Sequence, residues 1–104
     1  DKRRKYLLKE FDRLGLPCFE PRGAFYIFPD IRKYRMTSEE FATDLLEKEH
    51  VVVVPGTAFG DSGEGFVRIS YAYSLDALKE AVRRIEKYIG SLNFKAGNYC
   101  TFDE

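Results

Sequence analysis

An arginine within an apolar strand is the residue of this sequence whose type and position point most directly to chemistry. Residues 66–71 (FVRISY) have the composition of a β-strand, and the side chains of a strand alternate between its two faces. Val67, Ile69 and Tyr71 therefore share one face, which we expect to pack under helices. Arg68 lies on the opposite face, where its charge requires water or an anion because burying an unpaired charge is costly.

Two interpretations of Arg68 follow from this position. In the first, the guanidinium is solvated on an open sheet face or pairs with a carboxylate of the same chain. In the second, a rigid strand holds the guanidinium so that it receives the carboxylate of a ligand through two parallel hydrogen bonds, each worth about 1.5–3 kcal/mol. The strand pattern alone favours the first interpretation and leaves the second open.

Two amphipathic helices are predicted in the first half of the chain. Residues 2–14 place their leucines and Phe11 on one face, and Gly15 follows as a C-terminal stop. The second helix begins at Thr37, because Thr37 and Glu40 have the spacing of a capping box. Its apolar stripe ends at about residue 49.

A third helix is predicted near the end of the chain. Apolar side chains follow helical spacing through residues 74–89, with Ser74 as the N-cap and Gly90 as the terminator. Residues 91–104 show no period, so we expect a tail without regular structure.

Further strands are predicted between the helices. Residues 16–19 lead into a short extended segment, and residues 24–28 are aromatic and β-favouring. Residues 51–54 (VVVV) are typical of a strand buried on both faces or nearly so. Residues 55–65 contain four glycines and no periodicity, which indicates a long loop of the kind that is often functional or mobile.

The order of these elements predicts an α+β fold. It is helix, strand, strand, helix, strand, strand, helix, which suits a two-layer sandwich with a small mixed or antiparallel sheet and the helices on one face. A chain of 104 residues forms one domain with one modest core. It is too short to form a two-domain enzyme with a cofactor cleft between the domains.

Composition excludes several classes of protein. Seventeen Lys and Arg balance seventeen Asp and Glu, which argues against a nucleic-acid-binding domain, and the charged residues 2–5 are best explained as a solvated helix start. No apolar run approaches the roughly 20 residues of a transmembrane helix, and no secretory signal is recognisable. Cys18 and Cys100 match no metal-ligand spacing and are expected to be free thiols, as in a cytoplasmic protein.

Three segments give the sequence a family resemblance. Residues 21–26 (PRGAFY), 54–60 (VPGTAFG) and 65–70 (GFVRIS), in this order and at this spacing, resemble the C-terminal small domain of class I/II (fold-type I) pyridoxal-phosphate-dependent aminotransferases. Each motif alone is a weak signal, but in this order they are a strong one. Together with the helix that contains residues 38–41 and the helix of residues 74–89, the resemblance covers about residues 1–90. The resemblance implies transfer of an amino group between an amino acid and a 2-oxo acid.

The same resemblance implies a role for individual residues. Arg68 occupies the position that binds the substrate α-carboxylate in that family. Gly23 and Phe25 lie in a segment that approaches the active-site mouth, so contact with substrate is expected of them. The turn at residues 55–60 is interpreted as structural, with glycines that permit positive φ.

The reaction centre of such an enzyme is not recognisable in this chain. The family's Schiff-base lysine lies in a Ser-x-x-Lys context, and no serine here has a lysine three residues later. Lys79 and Lys95 are interpreted as surface residues. We therefore expect no catalytic, cofactor-binding or metal-binding residue in the chain, and pyridoxal 5'-phosphate only in the parent enzyme.

The first hypothesis is thus a small domain that is inactive alone and belongs with a large pyridoxal-phosphate-binding domain. The parent enzyme is expected to be a cytoplasmic homodimer that acts on amino acids and 2-oxo acids. A free-standing domain that binds small carboxylates through Arg68 is the alternative from another class. A lyase or synthase of the same fold type would show the same motifs. Neither nucleic acid nor membrane is expected as a partner.

The remaining polar and aromatic candidates receive structural interpretations. His50 is expected to complement the C-terminus of the second helix. Asp61 and Glu64 are interpreted as solvated loop carboxylates. The tyrosines are assigned to core or edge packing: Tyr6, Tyr26, Tyr71 and Tyr73.

Overall fold

A computed structural model describes residues 2–21 and 25–103, with the side chains of residues 93–103 left out of the description. In this part of the chain, three helices and four strands follow the predicted order, joined in places by short 3-10 turns. The elements are α1 (Lys2–Arg13), β1 (Cys18–Phe19), β2 (Tyr26–Pro29), α2 (Ser38–Glu49), β3 (Val54–Pro55), β4 (Val67–Ser70) and α3 (Leu75–Asp103).

The four strands form one antiparallel sheet in the order β1-β2-β4-β3. Ile27 of β2 pairs with Ile69 of β4, and Val54 of β3 pairs with Arg68 of β4. Strand β4 therefore has a hydrogen-bonded neighbour on each side. The backbone that carries Arg68 is fixed by both neighbours.

The three helices pack on one face of this sheet, as predicted for the α+β sandwich. Ile27 and Val67 are completely or almost completely buried on this face, and Tyr71 is also buried. Ile69 packs against the same core. The helices contribute most of the other core side chains: Leu7, Phe11, Phe41, Leu45, Leu78, Val82, Ile85, Tyr88 and Ile89.

The predicted helix ends are confirmed where the side chains form caps. The Thr37 side chain accepts a hydrogen bond from the Glu40 N–H at 3.1 Å, and the Glu40 carboxylate accepts one from the Thr37 N–H at 2.9 Å. The bond that the Glu40 carboxylate accepts from the Thr37 N–H lowers the pKa of Glu40, because it favours the charged form. Ser74 caps α3 through the Ala77 N–H, and Gly15 follows α1 with a φ of 79°.

The prediction of a strand over residues 51–54 is wrong for most of the run. Only Val54 and Pro55 pair with β4. Val51 and Val53 are buried in the core, whereas 75% of Val52 is exposed, so the run is not buried on both faces. Alternating burial against the core, rather than strand pairing, explains the apolar character of Val51 and Val53.

The prediction of an irregular tail over residues 91–104 is also wrong, because α3 continues through Gly90 to Asp103. Gly90 was expected to end the helix. A glycine in a helix interior costs only about 1 kcal/mol relative to alanine, so it does not by itself terminate a helix.

Residues 55–65 form a compact loop rather than an extended one. Two 3-10 turns, Gly56–Phe59 and Asp61–Gly63, follow each other, and the Gly56 N–H donates to the Phe66 carbonyl at 2.8 Å. A Cβ atom at Gly56 would clash with the backbone carbonyl of Gly63. Close backbone approach, and not positive φ, is the reason for glycine at this position.

Replacing Gly56 with alanine should therefore destabilise the chain by about 1–3 kcal/mol, because backbone atoms must move to admit the methyl group. Gly90→Ala is the matched control. A Cβ atom there meets no neighbour within 4 Å, so we expect up to about 1 kcal/mol of stabilisation. Urea unfolding followed by circular dichroism measures both changes, and equal effects of the two substitutions would contradict this account of the loop.

Candidate functional site

The guanidinium of Arg68 lies against two aromatic rings on the sheet face opposite the helices. Its Cζ atom is 4.2 Å from the centroid of the Tyr26 ring and 4.6 Å from that of the Phe59 ring. At these distances the negative faces of aromatic rings attract a cation, with about 0.5–2 kcal/mol per contact. We call Tyr26 and Phe59 the ring pair.

The sheet register explains why the Tyr26 ring lies close to Arg68. Tyr26 pairs with Ser70 across β2 and β4, and Arg68 projects from the same face as Ser70. The Tyr26 side chain is therefore diagonal to that of Arg68, a separation that long side chains span.

The loop at residues 55–65 supplies Phe59. Its ring also packs edge-on against Phe28 of β2, with the centroids 5.9 Å apart and the planes at 87°. Phe59 thus bridges Arg68 and the neighbouring strand, although half of its surface is exposed.

Arg68 differs from other arginines of the chain in its partners. Among the described residues, its guanidinium donates no hydrogen bond and has no carboxylate within 4 Å. Five other arginines each pair with at least one carboxylate: Arg4, Arg13, Arg32, Arg83 and Arg84. The ion-pair form of the first sequence interpretation is therefore not found among the described residues, while a solvated Arg68 and a bound carboxylate both remain compatible with this arrangement. The N–H donors of Arg68 are available to a bound anion or to water.

Glu64 anchors the loop that carries Phe59. Its carboxylate oxygen accepts hydrogen bonds from the Ser38 N–H at 2.8 Å and from the Gly65 N–H at 2.6 Å. Ser38 is the first residue of α2, where the helix dipole favours a negative charge. Glu64 was interpreted as a solvated carboxylate, and although it is exposed, it joins the loop to the helix.

The other substrate-contact candidates lie apart from the ring pair or outside the description. Phe25 is 59% exposed and packs edge-on against Tyr71, at a centroid distance of 6.0 Å. Gly23 lies outside the described residues.

Three further candidates are placed by the structure. His50 is the C-cap of α2 in a left-handed conformation, and its N–H donates to the Leu46 carbonyl, which agrees with the structural interpretation. Asp61 is exposed at the start of a 3-10 turn. Lys79 is exposed on α3, as predicted for a surface residue, and the side chain of Lys95 lies outside the description.

Cysteine chemistry and metal binding find no support in the described residues. Cys18 is a free thiol, and burial raises its pKa to about 12, so little reactive thiolate forms at neutral pH. The side chain of Cys100 is not described. No group of three or more His, Cys, Asp or Glu side chains in the described part is arranged to hold a metal ion. None of the described helices has the length and apolar character needed to cross a membrane.

Comparison with known proteins identifies the family. Residues 1–85 match the family described as aminotransferase class I and II. The chain belongs to the class I and II aminotransferase family. The resemblance seen in the three sequence motifs is confirmed at this level.

Similar proteins are aminotransferases several times longer than this chain. An aspartate aminotransferase of Pyrococcus abyssi (strain GE5 / Orsay) is 51% identical over 89 residues, covering 86% of this chain and 23% of the relative. An aromatic-amino-acid aminotransferase 2 of Thermococcus litoralis is 47% identical over 89 residues, which again cover 86% of this chain and 23% of the relative. The crystal structure of an aromatic aminotransferase from Pyrococcus horikoshii OT3 superposes with a TM-score of 0.83 at 48% identity, covering 88% of this chain and 24% of that one. The chain therefore spans just under a quarter of the length of these relatives.

Sequence reasoning missed the ring pair and the role of Glu64. Tyr26 was assigned to packing, yet the alternation around buried Ile27 already places it on the Arg68 face. Phe59 and Glu64 lie in a loop without periodicity, where no pattern indicates which way a side chain points.

Removing the Glu64 carboxylate should loosen the loop from α2. We expect Glu64→Ala to lower the free energy of unfolding by about 1–3 kcal/mol, because two backbone N–H groups lose a charged acceptor. Asp61→Ala, an exposed change in the same loop, should cost less than about 0.5 kcal/mol. Urea unfolding compares the two variants, and a Glu64 variant as stable as the Asp61 variant would refute the anchoring role.

Proposed function

We propose that residues 1–90 are the C-terminal small domain of a pyridoxal-phosphate-dependent aminotransferase, in which Arg68 binds the α-carboxylate of the amino acid and of the 2-oxo acid. The observation that carries the proposal is the Arg68 guanidinium, which has no carboxylate partner among the described residues and is held on a strand with neighbours on both sides. Membership of the aminotransferase family supplies the reaction class.

The geometry suits the binding of a planar carboxylate. A guanidinium presents its N–H donors in a fixed fork that matches the two oxygens of a carboxylate, and such charge-assisted bonds are about twice as strong as neutral ones. Gripping the substrate at this point fixes its orientation, which lowers the entropic part of the reaction barrier. Lysine lacks the fork and would be a poor replacement.

The N-termini of α2 and α3 do not fit the phosphate group of pyridoxal phosphate. A phosphate group favours the free N–H groups of a helix N-terminus, but Thr37 and the carboxylates of Glu40 and Glu64 already accept these bonds at α2. At α3 the Ser74 hydroxyl accepts the Ala77 N–H. We therefore assign the cofactor, whose chemistry is to withdraw electrons from the bound amino acid, to a large domain outside this chain.

An apolar surface beside Arg68 supports the proposal of a covering domain. Phe19 and Phe59 are half or more exposed, and with neighbouring residues they line a cavity of about 310 Å³. Exposed apolar patches of this kind mark interaction sites. We assign the large domain of the same enzyme to this surface, and propose a homodimeric, cytoplasmic parent.

Arg68→Ala in the full-length enzyme should lower kcat/KM by about 30- to 5,000-fold, which corresponds to the roughly 2–5 kcal/mol lost when a desolvated carboxylate loses its partner. Arg68→Lys should recover only part of this loss. Arg83→Ala, which removes an exposed arginine of α3 paired with Glu80, is the control and should leave kcat/KM unchanged. Steady-state kinetics with amino acid and 2-oxo acid tests the assignment, and near-normal kcat/KM in Arg68→Ala would refute it.

The 104-residue chain alone should be inactive. Mixed with pyridoxal phosphate, it should give no more borohydride-sensitive aldimine absorption than an equal concentration of free lysine side chains, because no lysine of the chain is assigned to the covalent bond with the cofactor. Absorption spectroscopy with free lysine as the reference measures this. A stoichiometric, borohydride-sensitive band in the chain would overturn the assignment of the reaction centre to another domain.

A further inference from the structure

We propose that Phe59 is a positioning residue for Arg68: its ring holds the Arg68 guanidinium in the orientation that receives the substrate carboxylate. This inference rests on the proposed function of Arg68. Phe59 touches the arginine, and we assign it no contact with the reacting atoms.

The partners of Arg68 explain why a positioning residue is needed. An arginine side chain has several rotatable bonds, and ordering it on binding costs conformational free energy. Where arginines of this chain pair with a carboxylate, as Arg32 does with Asp30, the ion pair orders the guanidinium. Among the described residues, the contacts that order the Arg68 guanidinium are those with the ring pair.

The two rings are held by different parts of the structure. Tyr26 lies on β2 and is positioned by the sheet. Phe59 stands at the end of a 3-10 turn, and the Gly60 N–H that follows donates to the Thr57 carbonyl at 3.2 Å. Its position therefore depends on the folding of the loop.

One contact of the Phe59 ring and two contacts of its loop hold Phe59 in place. It packs edge-on against Phe28, on the same sheet face as Arg68. Gly56 and Gly63 approach each other so closely that the loop closes on itself, and Glu64 ties the loop to the first residue of α2. The half-exposed ring is thus carried by a loop that is anchored at both the sheet and the helix.

Preorganisation of the cation affects the binding of carboxylate more than the later chemistry. A guanidinium already oriented by Phe59 loses less freedom when the substrate binds, so the ring strengthens binding in the ground state and in the transition state alike. Interactions that act equally on both states change KM and leave kcat nearly unaltered. A purely structural role for Phe59 would instead lower the stability or the active fraction of the enzyme.

The test uses the full-length enzyme and the amino acid that it turns over fastest among the twenty common ones. Phe59→Leu removes the π-system and keeps an apolar side chain, and should raise KM for this amino acid and for its 2-oxo acid by about 3- to 30-fold, with kcat changed less than 2-fold. Phe59→Tyr keeps the ring and should restore KM to within about 2-fold. Leu46→Ala changes an exposed apolar side chain of α2 that has no part in the site, and should leave KM unchanged.

Arg68→Lys and the double variant Arg68→Lys/Phe59→Leu complete the design. In the lysine background, Phe59→Leu should raise KM by less than about 2-fold, because the guanidinium that the ring positions is gone. An unchanged KM in Phe59→Leu, alongside a raised KM in Arg68→Lys, overturns the inference and leaves the role of Arg68 intact. An unchanged KM in Arg68→Lys overturns the proposed function itself. A loss of kcat and thermal stability in Phe59→Leu at constant KM assigns Phe59 to structure alone and overturns the inference.

Discussion

A full positive charge in an interior strand is the constraint on which the functional face of this domain depends. Arg68 stands in β4, between β2 and β3, on the side of the sheet that the helices leave uncovered. Had it pointed to the other face, the charge would lie in a core of aliphatic and aromatic side chains at a prohibitive cost. The alternation of the strand avoids this, and among the described residues aromatic rings rather than a carboxylate contact the cation.

Much of the surrounding structure can be understood as support for that arrangement. The helical layer buries the inner side chains of β2 and β4, which holds the two strands in register and brings Tyr26 beside Arg68. The loop at residues 55–65 is compact because Gly56 and Gly63 let its backbone segments approach each other closely. This packing places the Phe59 ring against Arg68. In the proposed function, a guanidinium without a carboxylate partner among the described residues suits the binding of a carboxylate ligand, since an internal ion pair would have to break before the ligand could bind.

The sequence predicted the parts of the structure that depend on local patterns. The order of elements, the capping box of Thr37 and Glu40 and the face of Arg68 follow from periodicity and cap chemistry. The prediction of a strand over the four valines was wrong because β-branched residues are typical of buried positions as well as of paired strands. Here Val51 and Val53 are buried without being part of a paired strand. Gly90 misled because a helix passes through glycine at a small cost. Contacts of Phe59 and Glu64 arise from tertiary folding of an aperiodic loop, which no local pattern encodes.

The central claim is that Arg68 receives the substrate carboxylate, and a crystal structure of the full-length enzyme with its amino acid or 2-oxo acid bound tests it most directly. The account predicts that both carboxylate oxygens lie about 2.7–2.9 Å from guanidinium nitrogens of Arg68, with the Tyr26 and Phe59 rings still in contact with that group. A substrate carboxylate bound by other residues, with Arg68 turned to solvent or paired to a protein carboxylate, would contradict it.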